Sequence, residues 1–162
     1  MSNEHMAIYL NDHLAGSTAA LELLELLEKE HAGTATGRFV AELREEIISD
    51  QRELRALMKR LRVAESTSRK AAAWLTELIT ELKLWLEDRP RGAFRLFEVL
   101  EGVSVGIEGK RLLWSALAVL AADVPELQGT DYARLEQRAG EQRQRVEAVR
   151  LDTGRTAFAA KR

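Results

Sequence analysis

The sequence predicts an all-α fold, and three observations lead to that prediction. Apolar residues recur at intervals of three and four along most of the chain, which is the spacing of one face of an α-helix. Period-two alternation, the pattern of a half-buried strand, is absent, and runs of β-branched residues are few. The chain has only two prolines, Pro90 and Pro125, and both fall at breaks between helical patterns. We therefore expect one helical domain over residues 1–162.

The first half of the chain predicts two long helices joined by a short link. The first pattern covers about residues 6–31, and Gly33 follows it as a C-terminal stop signal. The second pattern covers about residues 35–61, after the link AGT. Because such a short link leaves no room for a crossover, we expect these two helices to form an antiparallel hairpin.

The second half predicts a shorter helix followed by another long hairpin. Helical spacing covers about residues 68–87, then about residues 90–122 and finally about residues 131–158, with Thr130 as the expected N-cap of the last helix. A helix of about 20 residues spans roughly 30 Å, which is enough to cross a bundle from end to end. The prediction is a four-helix bundle of two antiparallel hairpins, with a helical crossover between the second and third long helices.

Four acidic residues fall on the helical faces that the apolar pattern places inside the bundle. Glu46 and Asp50 lie on the apolar face of the second helix. On the helix of residues 90–122, the stripe that we expect to be buried contains Phe94, Val105, Leu112 and Val119. Glu101 and Glu108, seven residues apart, lie on that same stripe.

Buried carboxylates need a cation beside them, because an unpaired buried charge costs several kcal/mol or loses its charge through a shifted pKa. One source of positive charge is a metal pair, and oxygen ligands suit manganese, magnesium or calcium. The other source is a network of ion pairs with neighbouring helices. On the last helix, Arg143 and Arg150 flank the face that carries Gln142. The sequence alone leaves both sources open.

Two stretches of the chain resemble a known superfamily. They are YLNDHLAGSTAALELLELLEKEHAGT and LEGVSVGIEGKRLLWSAL. Together with the helix layout, they are similar to a group of small, uncharacterised bacterial ferritin-like proteins, and the resemblance covers most of the chain. It implies a ferritin-like four-helix bundle, and it implies little about activity because that group has no settled function.

The ligand pattern of a metal-binding ferritin is only partly present. That pattern has a glutamate on each of two helices and Glu-x-x-His on each of the other two. Here Glu46 and Asp50 stand where one Glu-x-x-His is expected, while the last helix has no histidine and carries Gln142 at its inward position. The one Glu-x-x-His, from Glu28 to His31, falls at the end of the first helix. We therefore expect a degenerate di-iron ligand set.

These observations favour a non-catalytic protein without a cofactor, which acts by oligomerisation, as a dimer, or by binding a protein partner. Trp74 and Trp85, on one face of the crossover helix, either cover the outer groove of the bundle or form such an interface. Under the alternative, the protein is an iron or manganese oxidoreductase or metal-storage protein whose ligands are Glu46, Asp50, Glu101 and Glu108. Whether the protein is an enzyme stays open, and these observations favour a protein that is not.

Two smaller features also have a structural and a functional interpretation. Gly102, Gly106 and Gly109 interrupt a helix, where each glycine costs up to about 1 kcal/mol relative to alanine. Close approach of a neighbouring helix explains them, and so does room for a small ligand beside the acidic residues. We expect His13, at mid-helix beside apolar residues, to be a core histidine rather than a metal ligand.

Composition and charge narrow the classes of function. The chain has 24 basic and 26 acidic residues, a net charge of −2, so nothing directs it to nucleic acid. The absence of cysteine excludes disulfides, thiolate metal sites and a cysteine nucleophile. No uncharged apolar run reaches the roughly 20 residues of a membrane span, and no signal-peptide pattern is present at the start. We expect a cytoplasmic protein that binds neither nucleic acid nor membranes.

Overall fold

The computed structural model describes residues 3–66 and 92–159, together with the isolated positions 73, 76, 77, 80 and 84. These residues form four long α-helices and no strand, which confirms the all-α prediction and is consistent with a four-helix bundle. The helices are α1 (Asn3–Glu30), α2 (Ala35–Arg60), α3 (Ala93–Leu120) and α4 (Tyr132–Phe158), and a 3-10 turn, Pro125–Leu127, precedes α4. Trp74 and Trp85 of the predicted crossover helix lie outside the described residues.

Local signals set the boundary between α1 and α2. The Thr34 hydroxyl accepts a hydrogen bond from the Gly37 backbone N–H at 3.0 Å and so caps α2. Gly33 has a φ of +80°, the left-handed conformation that glycine adopts without strain. The predicted stop at Gly33 is therefore confirmed, and the ends of all four long helices lie within three residues of their predicted positions.

The N-cap of α4 is Asp131, so the prediction of Thr130 is wrong. The Asp131 carboxylate accepts a hydrogen bond from the Arg134 backbone N–H at 3.0 Å. The Thr130 hydroxyl is engaged elsewhere, because it accepts a hydrogen bond from the Arg60 guanidinium at the end of α2. Threonine and aspartate both make good N-caps, and this contact between distant parts of the chain decides between them.

The core consists of two clusters of buried apolar side chains, and all four helices contribute to each. The first cluster combines the beginnings of α1 and α4 with the ends of α2 and α3, and the second combines the opposite parts of the same helices. Along α2, the buried side chain of Asp50 lies between the two clusters, and the buried side chain of Gln142 on α4 contacts it. The bundle is therefore apolar toward both ends and has a polar layer near the middle.

The prediction of which side of α3 is buried is wrong. Val105 and Val119 are 69% and 73% exposed, and Phe94 and Leu112 are also exposed. The apolar side chains that α3 buries are Leu96, Val99, Leu100, Val103, Ile107, Leu113, Trp114 and Leu117. Because α3 is apolar nearly all round, its spacing pattern does not specify the side that faces the core. Among the residues that the model describes, no helix combines the length and the apolar character needed to cross a membrane.

Candidate functional site

Asp50 of α2 is the most buried charged side chain among the described residues, with 3% of its surface exposed. Its Oδ1 atom accepts a hydrogen bond from the Arg138 guanidinium of α4. Its Oδ2 atom accepts one from the Lys110 ammonium of α3 and one from Gln142 Nε2 of α4, the latter at 3.1 Å. Lys110 also donates to Gln142 Oε1. We call these four residues the mid-bundle network; they tie three helices together through one carboxylate.

Two cations share this carboxylate, and both are largely withdrawn from water. The side chains of Lys110 and Arg138 are 15% and 25% exposed. Burial lowers the pKa of the Lys110 ammonium below its ordinary value, although the Asp50 carboxylate acts in the opposite direction. One turn before Asp50, Glu46 forms a more exposed ion pair with Arg145 of α4 at 2.5 Å. Positive side chains of α3 and α4 thus contact Asp50, and one of α4 contacts Glu46.

Glu101 and Glu108 do not point into the bundle, so the prediction that they lie on a buried face is wrong. Their side chains are 59% and 32% exposed, on the outward stripe of α3. Glu101 contacts Arg150 at 3.1 Å, and Glu108 contacts Arg111 at 2.8 Å and Arg143 at 3.9 Å. The hydrogen bond from Arg111 lowers the pKa of the Glu108 carboxyl below its ordinary value. Both acids therefore form ion pairs near the surface, as expected if basic side chains, rather than a metal, supply the positive charge.

The four carboxylates that were candidate metal ligands do not meet at one point. The acidic residues of α2 contact α4, while those of α3 lie on the exposed side of their helix. In the described part of the chain, no group of three or more histidine, aspartate or glutamate side chains is placed to hold a metal ion. Each of the four has at least one arginine or lysine partner.

Sequence reasoning missed the three cations that contact Glu46 and Asp50, namely Lys110, Arg138 and Arg145. One signal was available for two of them. Arg138 and Arg145 are seven residues apart and share a helical face with the predicted inward Gln142. Lys110 had no such signal, because it lies on the helix whose buried side was predicted wrongly.

A groove of about 1080 Å³ lies between α1 and α3, with α2 also contributing to its lining. Its lining is mostly apolar. It includes Gly16, Gly102 and Gly106, which contribute no side chain. A Cβ atom added at any of the three would meet no described atom within 4 Å, and the same holds at Gly109, outside the lining. Close approach of another described helix therefore does not explain the glycines of α3. Gly102 and Gly106 leave open space in this groove, which we call the α1–α3 groove.

His13 lies in the wall of the α1–α3 groove and is only partly buried, so it is not the core histidine that the sequence predicts. Its ring packs edge to face against Tyr9, with 4.8 Å between ring centroids. Burial lowers the pKa of the His13 imidazole below its ordinary 6.5, and the negative charge of Asp12 opposes this shift.

Comparison with protein-family models, with curated proteins and with solved structures finds no match to this chain. The resemblance to ferritin-like proteins consequently stays a prediction, based on the stretches quoted above and on the helix layout. What the protein does has to be argued from the mid-bundle network, the exposed face of α3 and the α1–α3 groove.

The lowered pKa of His13 predicts an acid sensitivity that a single substitution removes. Between the folded-state pKa and 6.5, the unfolded chain holds more protons at this position than the folded protein, so the free energy of unfolding falls as the pH falls. We expect the melting temperature of the wild type to drop more between pH 7.5 and pH 5.5 than that of His13→Gln. His5→Gln, a histidine substitution at an exposed position, provides the control. Equal slopes for wild type and His13→Gln would contradict the prediction.

Proposed function

We propose that this chain is a ferritin-like bundle protein with a degenerate di-iron ligand set, which acts without catalysis by associating with a second copy of itself. The observation that carries the first part is the environment of Asp50. At mid-bundle, where the ferritin-like pattern places a metal ligand, Lys110 and Arg138 already contact this carboxylate. A metal ion at the same position would face two positive charges at short range in partly buried surroundings, where repulsion amounts to several kcal/mol.

Contacts between helices support the ferritin-like arrangement. In three helix pairs, α1 with α2, α3 with α4 and α2 with α4, residues of higher number on one helix meet residues of lower number on the other, which is the mark of antiparallel neighbours. The contacting pairs are Gln51 with Ser17 and Arg44 with Glu25, Glu101 with Arg150 and Arg111 with Glu136, and Asp50 with Arg138 and Glu46 with Arg145. By this pattern α2 and α3 are both antiparallel to α4 and thus parallel to each other. Parallel α2 and α3 require a crossover connection of the kind that ferritin-like bundles have.

The outer face of α3 supports self-association. Val105, Leu112 and Val119 are 69%, 53% and 73% exposed, and they follow one another at intervals of seven residues. The stripe spans about 21 Å of helix, and the seven-residue interval is the repeat of a helix-to-helix seam. Exposed apolar patches of this kind mark interaction sites.

A second copy of the chain is the occupant that this stripe fits best. A straight stripe on one helix pairs with its own copy about a two-fold axis, so that both protomers contribute the same residues. The charged residues beside the stripe, Glu108 and Arg111, are paired with each other at 2.8 Å, so two such faces meet without excess charge of one sign. The low net charge of −2 likewise opposes association only weakly.

The exposed stripe predicts a dimer that one substitution dissociates. We expect wild-type protein at tens of micromolar to have the mass of a dimer in light scattering coupled to size-exclusion chromatography. Leu112→Glu should weaken association at least about tenfold, because a charge buried in an apolar seam costs more than about 1.4 kcal/mol. Ile8→Glu is the matched control: Ile8 has the same 53% exposure but lies on α1, and its variant should remain a dimer.

The same samples test the metal alternative. Protein from cells supplied with iron and manganese should carry no stoichiometric metal, in the wild type and in Glu46→Gln alike. One or two equivalents of tightly bound metal that disappear in Glu46→Gln would instead favour a carboxylate-rich oxidoreductase or metal store. A wild-type protein that stays monomeric at every concentration would contradict self-association.

A further inference from the structure

The α1–α3 groove offers space, an unused hydrogen-bond donor and no free positive charge. From these three properties we propose that it is a binding site for an elongated, apolar, uncharged molecule that carries one hydrogen-bond acceptor, such as a carbonyl oxygen, near one end. The lining of this site includes Asp50 and Lys110 of the mid-bundle network and Val105 of the exposed stripe of α3. The inference does not depend on the proposed self-association.

The first argument is space. Protein interiors are close-packed, and ligand sites typically have volumes of about 300–1,000 Å³. The α1–α3 groove, at about 1080 Å³, is slightly larger than that range and is lined mostly by apolar groups. Gly16, Gly102 and Gly106 enlarge it, although each costs helix stability relative to alanine. No described atom approaches their Cβ positions within 4 Å, so packing between helices does not require glycine there.

The second argument is the indole of Trp114. This side chain lines the groove and is 1% exposed, and its buried Nε1–H has no hydrogen-bond acceptor among the described residues. A buried donor without a partner costs about 1–3 kcal/mol, and an indole can only donate. The side-chain amide of Gln51, which also lines the groove, does have a partner, because its Nε2 donates a hydrogen bond to Ser17 Oγ at 2.8 Å. An acceptor on a bound molecule would supply the partner that Trp114 lacks.

The third argument is charge. Lys110 is the one cationic side chain among the described lining residues, and its ammonium already contacts Asp50 and Gln142. Asp12 and Glu98 also line the groove and add negative charge. A carboxylate ligand would therefore find no free cation and two acidic neighbours. An uncharged acceptor such as a ketone, ester or aldehyde oxygen avoids that repulsion.

Nile red is a suitable probe, because it is elongated, uncharged and carries a carbonyl, and its fluorescence rises in apolar surroundings. We expect saturable binding to the wild-type protein, displacement by 2-dodecanone, and displacement by dodecanoate at least tenfold weaker at pH 8. The double variant Gly102→Leu/Gly106→Leu fills the groove and should reduce Nile red affinity at least tenfold. Leucine is a better helix former than glycine, so the melting temperature of this variant should stay equal or rise.

Gly109→Leu is the matched control, because Gly109 lies on the same helix with equally open surroundings but does not line the groove. Its affinity for Nile red should equal that of the wild type. Leu112→Glu should also keep wild-type affinity, since Leu112 lies outside the lining, and this result would separate ligand binding from self-association.

Trp114→Phe tests the hydrogen bond while keeping an aromatic ring in place. The preference for 2-dodecanone over dodecane should fall roughly 2- to 10-fold in this variant, the equivalent of one hydrogen bond. If the double leucine variant fails to fold, the ketone preference of Trp114→Phe still tests the proposal. Unchanged Nile red affinity in a folded double leucine variant, an unchanged ketone preference in Trp114→Phe, or dodecanoate as the best competitor would each overturn the proposal.

Discussion

Replacing Asp50 with alanine is expected to lower the free energy of unfolding by about 3–5 kcal/mol, as measured by urea denaturation at pH 7. The substitution removes the only carboxylate of the mid-bundle network and leaves Lys110 and Arg138 without it, although their side chains are just 15% and 25% exposed. A buried cation without a partner costs more free energy than the ion pair contributed to stability, because nothing replaces the hydration that the cation lost on burial. Gln142 would also lose the acceptor of its Nε2 group.

Glu46→Ala is the matched control, because Glu46 lies one turn earlier on α2 and also pairs with an arginine of α4. The Glu46 and Arg145 side chains are 33% and 42% exposed, so water can replace the lost partner. We expect a loss of about 1 kcal/mol or less. An Asp50→Ala loss no larger than that of Glu46→Ala would show that burial of the network does not govern its energetics.

A double substitution separates the cost of an unpaired charge from the worth of the pair itself. In Asp50→Leu/Lys110→Met, apolar side chains replace both the carboxylate and the more buried cation, and Arg138 is free to turn toward solvent. We expect this variant to be within about 2 kcal/mol of the wild type, since apolar replacement of a buried ion pair is often neutral or stabilising. A loss equal to that of Asp50→Ala would contradict this.

Gly37→Ala is expected to lower the free energy of unfolding by about 1–3 kcal/mol, even though alanine is the better helix former. A Cβ atom added at Gly37 would lie 2.8 Å from the carbonyl carbon of His31 and closer still to its oxygen. That carbonyl accepts hydrogen bonds from the Thr34 backbone N–H at 3.1 Å and from the Thr34 hydroxyl at 2.7 Å. The link between α1 and α2 therefore has to break these bonds or tilt α2 to admit a methyl group.

Gly140→Ala, inside α4, isolates the steric effect. No described atom lies within 4 Å of a Cβ atom added at Gly140, so we expect this variant to gain up to about 1 kcal/mol from helix propensity alone. Urea denaturation of the two variants beside the wild type gives the comparison. If Gly37→Ala were stabilised as much as Gly140→Ala, the link between α1 and α2 would accommodate the added methyl group without a loss of stability.

The sequence determined the helices of this protein because their signals are local. The three-to-four spacing of apolar residues, the positive-φ stop at Gly33 and the break after α3 at Pro125 each act over a few residues. Boundaries within three residues of the observed ones follow from such signals. The need of Asp50 for a positively charged partner was also predictable, because a carboxylate on an apolar face needs a cation beside it.

The identities of the partners were decided only by the tertiary structure. Lys110 and Arg138 are 60 and 88 residues from Asp50 along the chain, and nothing near Asp50 in sequence names them. The rotation of α3 is a second example: with apolar residues on nearly every side, its buried face depends on how the other three helices pack against it. Gly37 is a third, since its sequence context is that of an ordinary helix and the contact with His31 exists only once the link has closed.

Local spacing thus fixed which residues are helical and which of them on α2 face inward. Relative rotation and position of the helices fixed everything that depends on two of them at once: the cations around Asp50, the exposed stripe of α3 and the α1–α3 groove. The physical reason is range. Helix formation is governed by contacts three and four residues apart, whereas ion pairs, grooves and interfaces are governed by packing between segments that the chain brings together only in the folded state.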